Sequence, residues 1–259
     1  MSHRPRKRFG QNFLRDEQVV HAIILAMNLR SSDRMVEIGP GQGALTRYLL
    51  PAVNVLDVVE LDRDLVSLLQ QTFAGSKNLR IHSADALRFD FCSLTAAGQG
   101  KMRVVGNLPY NISTPLLFHL FSQCSCIADM HFMLQKEVVE RLCAEPNSKD
   151  YGRLSVMAQY YCRMEPVLEV APESFYPEPK VISAVVRLQP HEKKPVDVDL
   201  QALERVVAAA FSQRRKTLRN SLGTLLTAEE IEQAGITPGA RAETLDIHEF
   251  ARLAALVLV

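Results

Sequence analysis

The chain has 259 residues, 47% of them apolar and 23% charged, with a formal net charge of +1, which fits one sizeable water-soluble domain plus a small appendage. No apolar run reaches membrane-spanning length and the first residues lack a signal peptide's apolar core, so a cytoplasmic protein with no membrane association is expected. Five cysteines (Cys92, Cys124, Cys126, Cys143, Cys162) show no C-x-x-C spacing, and their odd number argues against a disulfide framework; small buried thiols and no metal site are expected.

In chain order, an acid-free basic run comes first (Arg4, Arg6, Lys7, Arg8, Arg15), which suits a polyanion as well as a solvated face. Asp16 predicts the N-cap of a helix with an apolar stripe of Val19, Val20, Ile23, Ile24 and Met27. Short strands and helices then alternate. Strands are expected at 35–38, 55–60, 79–82, 102–106 and 130–134. Helices are expected at 43–50, 64–73, from Thr114 (N-cap) and Pro115 to Phe121, at 136–143 and at 154–162. Late strands at 166–170 and 184–188 flank the proline-rich loop Phe175-Tyr176-Pro177-Glu178-Pro179. Alternation of this kind implies a mostly parallel sheet covered on both faces, with room for an antiparallel strand near one edge. After about residue 190 only helices are expected, at 200–211, 228–234 (capping box Thr227/Glu230) and 247–258 (Asp246/Glu249). The division is therefore 1–190, an α/β domain, and 191–259, a small all-α domain.

Three strand tips carry candidate ligand groups. Glu37-Ile38-Gly39-Pro40-Gly41-Gln42-Gly43 is a glycine turn that lets backbone approach a ligand closely and opens onto a helix N-terminus. It also fits a dinucleotide fingerprint, where the anion is a pyrophosphate rather than a methionine carboxylate. Glu60, at the end of the next strand, can accept both hydroxyls of a ribose in either cofactor. Asp85, at the third tip, is placed to accept from the adenine amino group of S-adenosylmethionine, with a plain capping role as its alternative.

A fourth strand delivers Asn107-Leu108-Pro109-Tyr110 to its carboxyl end. An exocyclic adenine nitrogen is a poor nucleophile because its lone pair is delocalised. The Asn107 side-chain carbonyl and the Leu108 backbone carbonyl can accept its two N–H bonds and stabilise positive charge as the nitrogen becomes tetrahedral. Pro109 stiffens the turn, and Tyr110 offers a face for an extruded base. Near the other end, Arg214, Arg215 and Lys216 sit in a second acid-free run, with Arg219 about one helical turn on, as candidate RNA contacts. Their alternative role is to tie the two domains together.

These residues closely resemble the KsgA family of small-subunit ribosomal RNA adenine dimethyltransferases, from Arg6 to about Glu243. The likeness rests on Arg6-Lys7-Arg8-Phe9-Gly10-Gln11-Asn12-Phe13-Leu14, the glycine turn, Glu60-Leu61-Asp62, Gly106 to Ser113, Met133 to Glu137, Tyr151 to Ser155, Phe175 to Val181 and Phe211 to Leu218. The resemblance implies a Rossmann-like class I methyltransferase sheet with a helical C-terminal domain that meets RNA or the ribosome. It implies two methyls on each of two adjacent adenosines in a hairpin near the 3′ end of 16S rRNA, and a role in late small-subunit assembly. It also assigns Asn12 and Leu14 to a lid over S-adenosylmethionine, with Gly39, Gly41, Glu60, Asp85 and Asn107 as further cofactor contacts, in a protein acting as a monomer. Rival readings are a large-subunit rRNA adenine methyltransferase, a DNA adenine methyltransferase, a non-catalytic assembly factor and a nicotinamide dehydrogenase. The last leaves Asn107 to Tyr110 without a task.

Overall fold

The computed structural model describes residues 6, 10–95, 100–213 and 215–257. Its elements are β1 (Phe13–Leu14), α1 (Glu17–Met27), β2 (Arg34–Ile38), α2 (Thr46–Leu49), β3 (Val55–Glu60), α3 (Arg63–Thr72), β4 (Leu79–Ser83), β5 (Met102–Asn107), α4 (Ser113–Phe121), β6 (Ile127–Gln135) and α5 (Lys136–Leu142). They continue with α6 (Arg153–Tyr161), β7 (Cys162–Val170), β8 (Phe175–Tyr176), β9 (Ser183–Pro190), α7 (Leu200–Ala210), α8 (Leu218–Ser221), α9 (Ala228–Gln233) and α10 (Ile247–Ala254).

The main sheet runs β4-β3-β2-β5-β6-β9-β7, among the described residues. Strands β4 to β6 are mutually parallel, so their carboxyl ends share one edge, and β9 runs antiparallel to β6. The chain winds outward from β2 through β3 to β4, then returns to place β5 on the other side of β2. The order thus reverses between β2 and β5, which is where open α/β sheets open a crevice at their strand tips. One core joins Val20, Ile23 and Met27 of α1 to Met35, Leu56, Val58 and Val105 of the sheet. Asp16 caps α1 as its side chain accepts from the N–H groups of Gln18 and Val19.

By internal packing the chain forms two units, residues 1–139 with 165–190, and 140–164 with 191–259. The sequence division kept all of 1–190 together; in the structure 140–164 groups with the helical end, where α6, α7 and α10 pack on one another. Tyr151 donates its hydroxyl to the Leu245 carbonyl at 2.9 Å inside that unit.

Several local expectations are corrected. The helix expected at 43–50 shrinks to α2, because Gly41 and Gly43 take positive φ (+58° and +82°) and cannot extend a right-handed helix. Helix α4 begins at Ser113 with Ile112 as N-cap, so Thr114 and Pro115 lie inside its first turn. Strand β7 starts at Cys162 and contains Pro166; it is the last strand of the sheet, and an edge strand tolerates a residue without an N–H. The expected proline-rich loop contributes β8, which pairs with β1 as a separate two-stranded ribbon. Helix α10 stops at Ala254, and the Leu258 end of the expected helix lies outside the described residues. Arg215 and Lys216 precede α8, whose N-cap is Thr217, so they do not share a helical face with Arg219; Arg214 lies outside the described residues.

The cysteine expectation also fails, since Cys92 and Cys126 form a disulfide. The Gln123 side-chain oxygen accepts from the N–H groups of Phe91 and Cys92 at 2.7 and 3.2 Å, drawing the turns 91–94 and 124–126 together. That proximity belongs to the fold and is not encoded in sequence spacing. Cys162 is buried, and Cys124 and Cys143 are half-buried thiols.

Candidate active site

The tips of β2, β3 and β5, the loop after β4 and the segment leading into β1 surround one cavity of about 370 Å³, within the size range of small-molecule sites. Asn12, Leu14, Gly39, Gly41, Glu60, Asp85, Asn107, Leu108, Pro109 and Tyr110 all line it. Sequence positions from five separate segments are thereby brought together.

Gly39 takes φ +65°, and a Cβ built on it meets only the Asn107 carbonyl oxygen, at 3.9 Å. Any side chain there would stand in cavity space, so the glycine keeps backbone open to a ligand. The Glu60 carboxylate, 7% exposed, is held by two backbone donors: Gly41 N–H to Oε2 at 3.3 Å and Asp62 N–H to Oε1 at 2.9 Å. Burial raises its pKa, and those two donors oppose the rise. Asp85 accepts the Leu87 N–H through Oδ1 at 3.0 Å, which closes a turn and caps no helix, while it also lines the cavity.

Asn107 donates from Nδ2 to the Asn12 backbone carbonyl at 2.8 Å. A carbonyl oxygen only accepts, so this bond fixes which way the amide faces and leaves Oδ1 as its acceptor end. The Leu108 N–H is engaged with the Met133 carbonyl at 3.1 Å. Tyr110 is anchored by a 2.7 Å bond between its hydroxyl and Ser183 Oγ, and burial raises its pKa.

The sequence reading missed several residues here. Glu37, 2% exposed, lines the same cavity and accepts the Thr46 hydroxyl at 2.6 Å. Burial pushes its pKa up to about 7, the Thr46 hydroxyl opposes that rise, and the nearby Glu60 charge adds to it. Its only sequence signal is a carboxylate inside an apolar strand. Arg6, in the basic run, bonds Asp62 at 2.9 Å and also pairs with Asp64, while the Gln11 amide donates to Asp62 at 3.1 Å. Arg6 therefore fastens the segment before β1 to the β3 tip through these two carboxylates. Arg4, Lys7 and Arg8 lie outside the described residues.

The sheet order and the cavity at its switch point are those of an α/β fold that takes a ligand at its strand tips, and the similarities that follow put it among the S-adenosylmethionine-dependent methyltransferases. A family model described as ribosomal RNA adenine dimethylase matches residues 2–257. Proteins named ribosomal RNA small subunit methyltransferase A are similar along nearly the whole chain. The one from Pseudomonas fluorescens (strain Pf-5) is 58% identical, covering 97% of this chain and 93% of its own; that of Methylococcus capsulatus is 57% identical, covering 98% of each. Among solved structures, a dimethyladenosine transferase from Plasmodium falciparum superposes with TM-score 0.78 at 26% identity, over 93% of this chain and 95% of its own. The 23S rRNA methyltransferase ErmE gives 0.73 at 26%, over 95% and 99%. The chain belongs to the ribosomal RNA adenine dimethylase family.

Proposed function

We propose that this chain transfers methyl groups from S-adenosylmethionine to N6 of two adjacent adenosines in a hairpin near the 3′ end of 16S rRNA, giving N6,N6-dimethyladenosines. The fixed orientation of the Asn107 amide carries the reading. With Nδ2 committed to Asn12, Oδ1 and the Leu108 carbonyl are the acceptors offered to the two N–H bonds of an adenine amine. They direct its lone pair and take up the positive charge that grows as it is alkylated. Tyr110, steadied by Ser183, supplies an aromatic face for the extruded base. No strong base is needed, because the nitrogen's proton becomes acidic once a methyl is attached.

S-adenosylmethionine supplies a methyl group on a positively charged sulfur. Glu60 would hold its ribose hydroxyls and Asp85 its adenine amino group, while the Gly39–Gly41 turn, whose Gly39 and Gly41 N–H groups are engaged by Val59 and Glu60, would give its methionine part room by lacking side chains. Asn12 and Leu14 cover it, with Asn12 tied to Asn107. The helical domain 191–259 contacts RNA through Arg214, Arg215, Lys216 and Arg219, and the protein acts as a cytoplasmic monomer that also serves late small-subunit assembly. The names of relatives at 57–58% identity favour the small subunit over the large one. A purely non-catalytic assembly factor has no use for an oriented Asn107 amide.

The test is methyl transfer from labelled S-adenosylmethionine to undermethylated small subunits, naked 16S rRNA and large subunits in parallel. Label is expected in small subunits, on adenine N6. Label confined to large subunits would overturn the proposal.

A further inference from the structure

Among the described residues, five large apolar side chains stand out into solvent, and three of them, Tyr176, Val181 and Ile182, lie within residues 176–182. A fourth, Leu61, lines the cavity. Isolated exposed apolar residues are ordinary, whereas a cluster beside a cavity marks a contact surface.

The β1–β8 ribbon fixes how this cluster faces. Leu14 pairs with Phe175 and Phe13 with Tyr176. Leu14 and Phe175 belong to one core cluster, so alternation puts Phe13, also buried, and the exposed Tyr176 on the other face of the ribbon, while Arg15 follows β1 and reaches the Tyr176 ring. Phe13 lines the cavity, and the Arg15 guanidinium carbon lies 4.1 Å from the centre of the Tyr176 ring. The Arg15 N–H donates to the Ser174 carbonyl at 2.8 Å, and Ser174 Oγ donates to the Asp16 carboxylate at 3.1 Å, which fixes the strip's base. Ser183, directly after Ile182, holds the Tyr110 hydroxyl, so the strip joins the cavity wall at both ends.

Resting on the adenine-methylation reading above, we infer that Tyr176 and Arg15 form a second nucleotide position at the rim of the cavity. There the base next to the target adenosine stacks on the Tyr176 ring, and the Arg15 guanidinium meets the adjoining phosphate. A base drawn into the cavity leaves its neighbour without a stacking partner and pulls that neighbour's sugar and phosphate to the rim. An exposed aromatic ring replaces the lost partner, and a guanidinium already lying over the ring adds the cation a phosphate needs. With two adjacent targets, the adenosine waiting its turn is the one held at Tyr176.

The test uses the full-length protein and reconstituted undermethylated small subunits carrying A or U beside a single target adenosine. Tyr176→Ala is expected to raise KM for the particle about tenfold to a hundredfold, the range for one base–aromatic stack, with S-adenosylmethionine affinity and melting temperature unchanged. Tyr176→Phe should stay near wild type. Wild type should favour A over U at the neighbouring position, and Tyr176→Ala should lose that preference. Arg15→Gln should raise KM less and flatten its salt dependence. A Tyr176→Ala protein with wild-type KM, or with the A-over-U preference intact, would overturn the inference. A wild-type protein that leaves small subunits unlabelled would instead overturn the methylation reading, so the two failures are told apart.

Discussion

At Asn107 a single hydrogen bond to the Asn12 carbonyl decides what chemistry the side chain can do, because it leaves the oxygen end of the amide for the substrate. Asn107→Ala removes that oxygen and the tie to Asn12 together. Turnover is expected to fall by about 10²–10³, the effect of one oriented group acting on developing charge, with binding to the ribosomal particle nearly intact. Single-turnover methylation checks this; retention of more than about a tenth of the rate would move the target amine elsewhere. Glu60 tests the other half of the site. Two hydrogen bonds from ribose hydroxyls to a charged acceptor are worth about 1.5–3 kcal/mol each, so Glu60→Ala should weaken S-adenosylmethionine binding by about a hundredfold or more by calorimetry. Because burial raises the Glu60 pKa, its carboxylate is protonated earlier than an exposed one as pH falls. Affinity of the wild type should therefore drop on acidification, and Glu60→Gln should lose that pH dependence.

Strand β5 reaches the cavity through Gly106, which approaches β2 so closely that a Cβ there would lie 2.6 Å from the Ile38 carbonyl oxygen. Backbone cannot yield as a flexible side chain does, so Gly106→Ala must push the two tips apart. A loss of about 1–3 kcal/mol of stability and most of the methylation is expected; a melting curve and activity equal to wild type would show that the tips are not in such close contact. The approach also explains what could be read from sequence at this level. Strands β2, β3 and β5 are mostly apolar stretches, broken by Glu37, Asp57 and Arg103, that lead to Gly39, Glu60 and Asn107, so length and tip chemistry pointed to the same place. Residues Phe13–Leu14 and Phe175–Tyr176 make strands too short to show any period, and their pairing joins Phe13 to Tyr176 and Leu14 to Phe175 from opposite parts of the chain. The Arg6–Asp62 tie and the Cys92–Cys126 pairing were hidden for the same reason: each is a long-range contact with no local pattern. Short α2 was misjudged because residues 43–50 look helical until the positive φ of Gly43 is known.

Two buried groups in the α/β unit set opposing pH terms for the whole molecule. His131, 2% exposed, has no hydrogen-bond partner for either ring nitrogen among the described residues; burial lowers its pKa to about 4, from a usual value of 6.5. Between those values the unfolded chain binds a proton that the folded one does not, so this residue makes stability rise with pH. Glu37, raised from 4.5 to about 7, does the reverse: the folded chain holds the proton, and stability present below pH 4.5 is lost as pH rises through about 7. The two slopes, each up to about 1.4 kcal/mol per pH unit, should largely cancel between pH 4.5 and 6.5. Glu37→Gln should expose the rising slope and His131→Leu the falling one in urea unfolding at stepped pH; single variants that track the wild type would refute the pairing. The remaining prediction concerns the helical unit. Arg215 and Lys216 are exposed in the turn before α8, which is pinned by the Leu218 N–H on the Ala240 carbonyl at 2.8 Å. The backbone of that turn is thus held without help from the two side chains. If both neutralise phosphates, Arg215→Ala with Lys216→Ala should weaken binding to small subunits and flatten the slope of log affinity against log salt by about 1.8 for duplex contacts. S-adenosylmethionine affinity should not change. A tie between domains predicts a lower melting temperature and an unchanged salt slope, while RNA contact predicts the opposite pair of results, so one titration series and one melting curve decide between them.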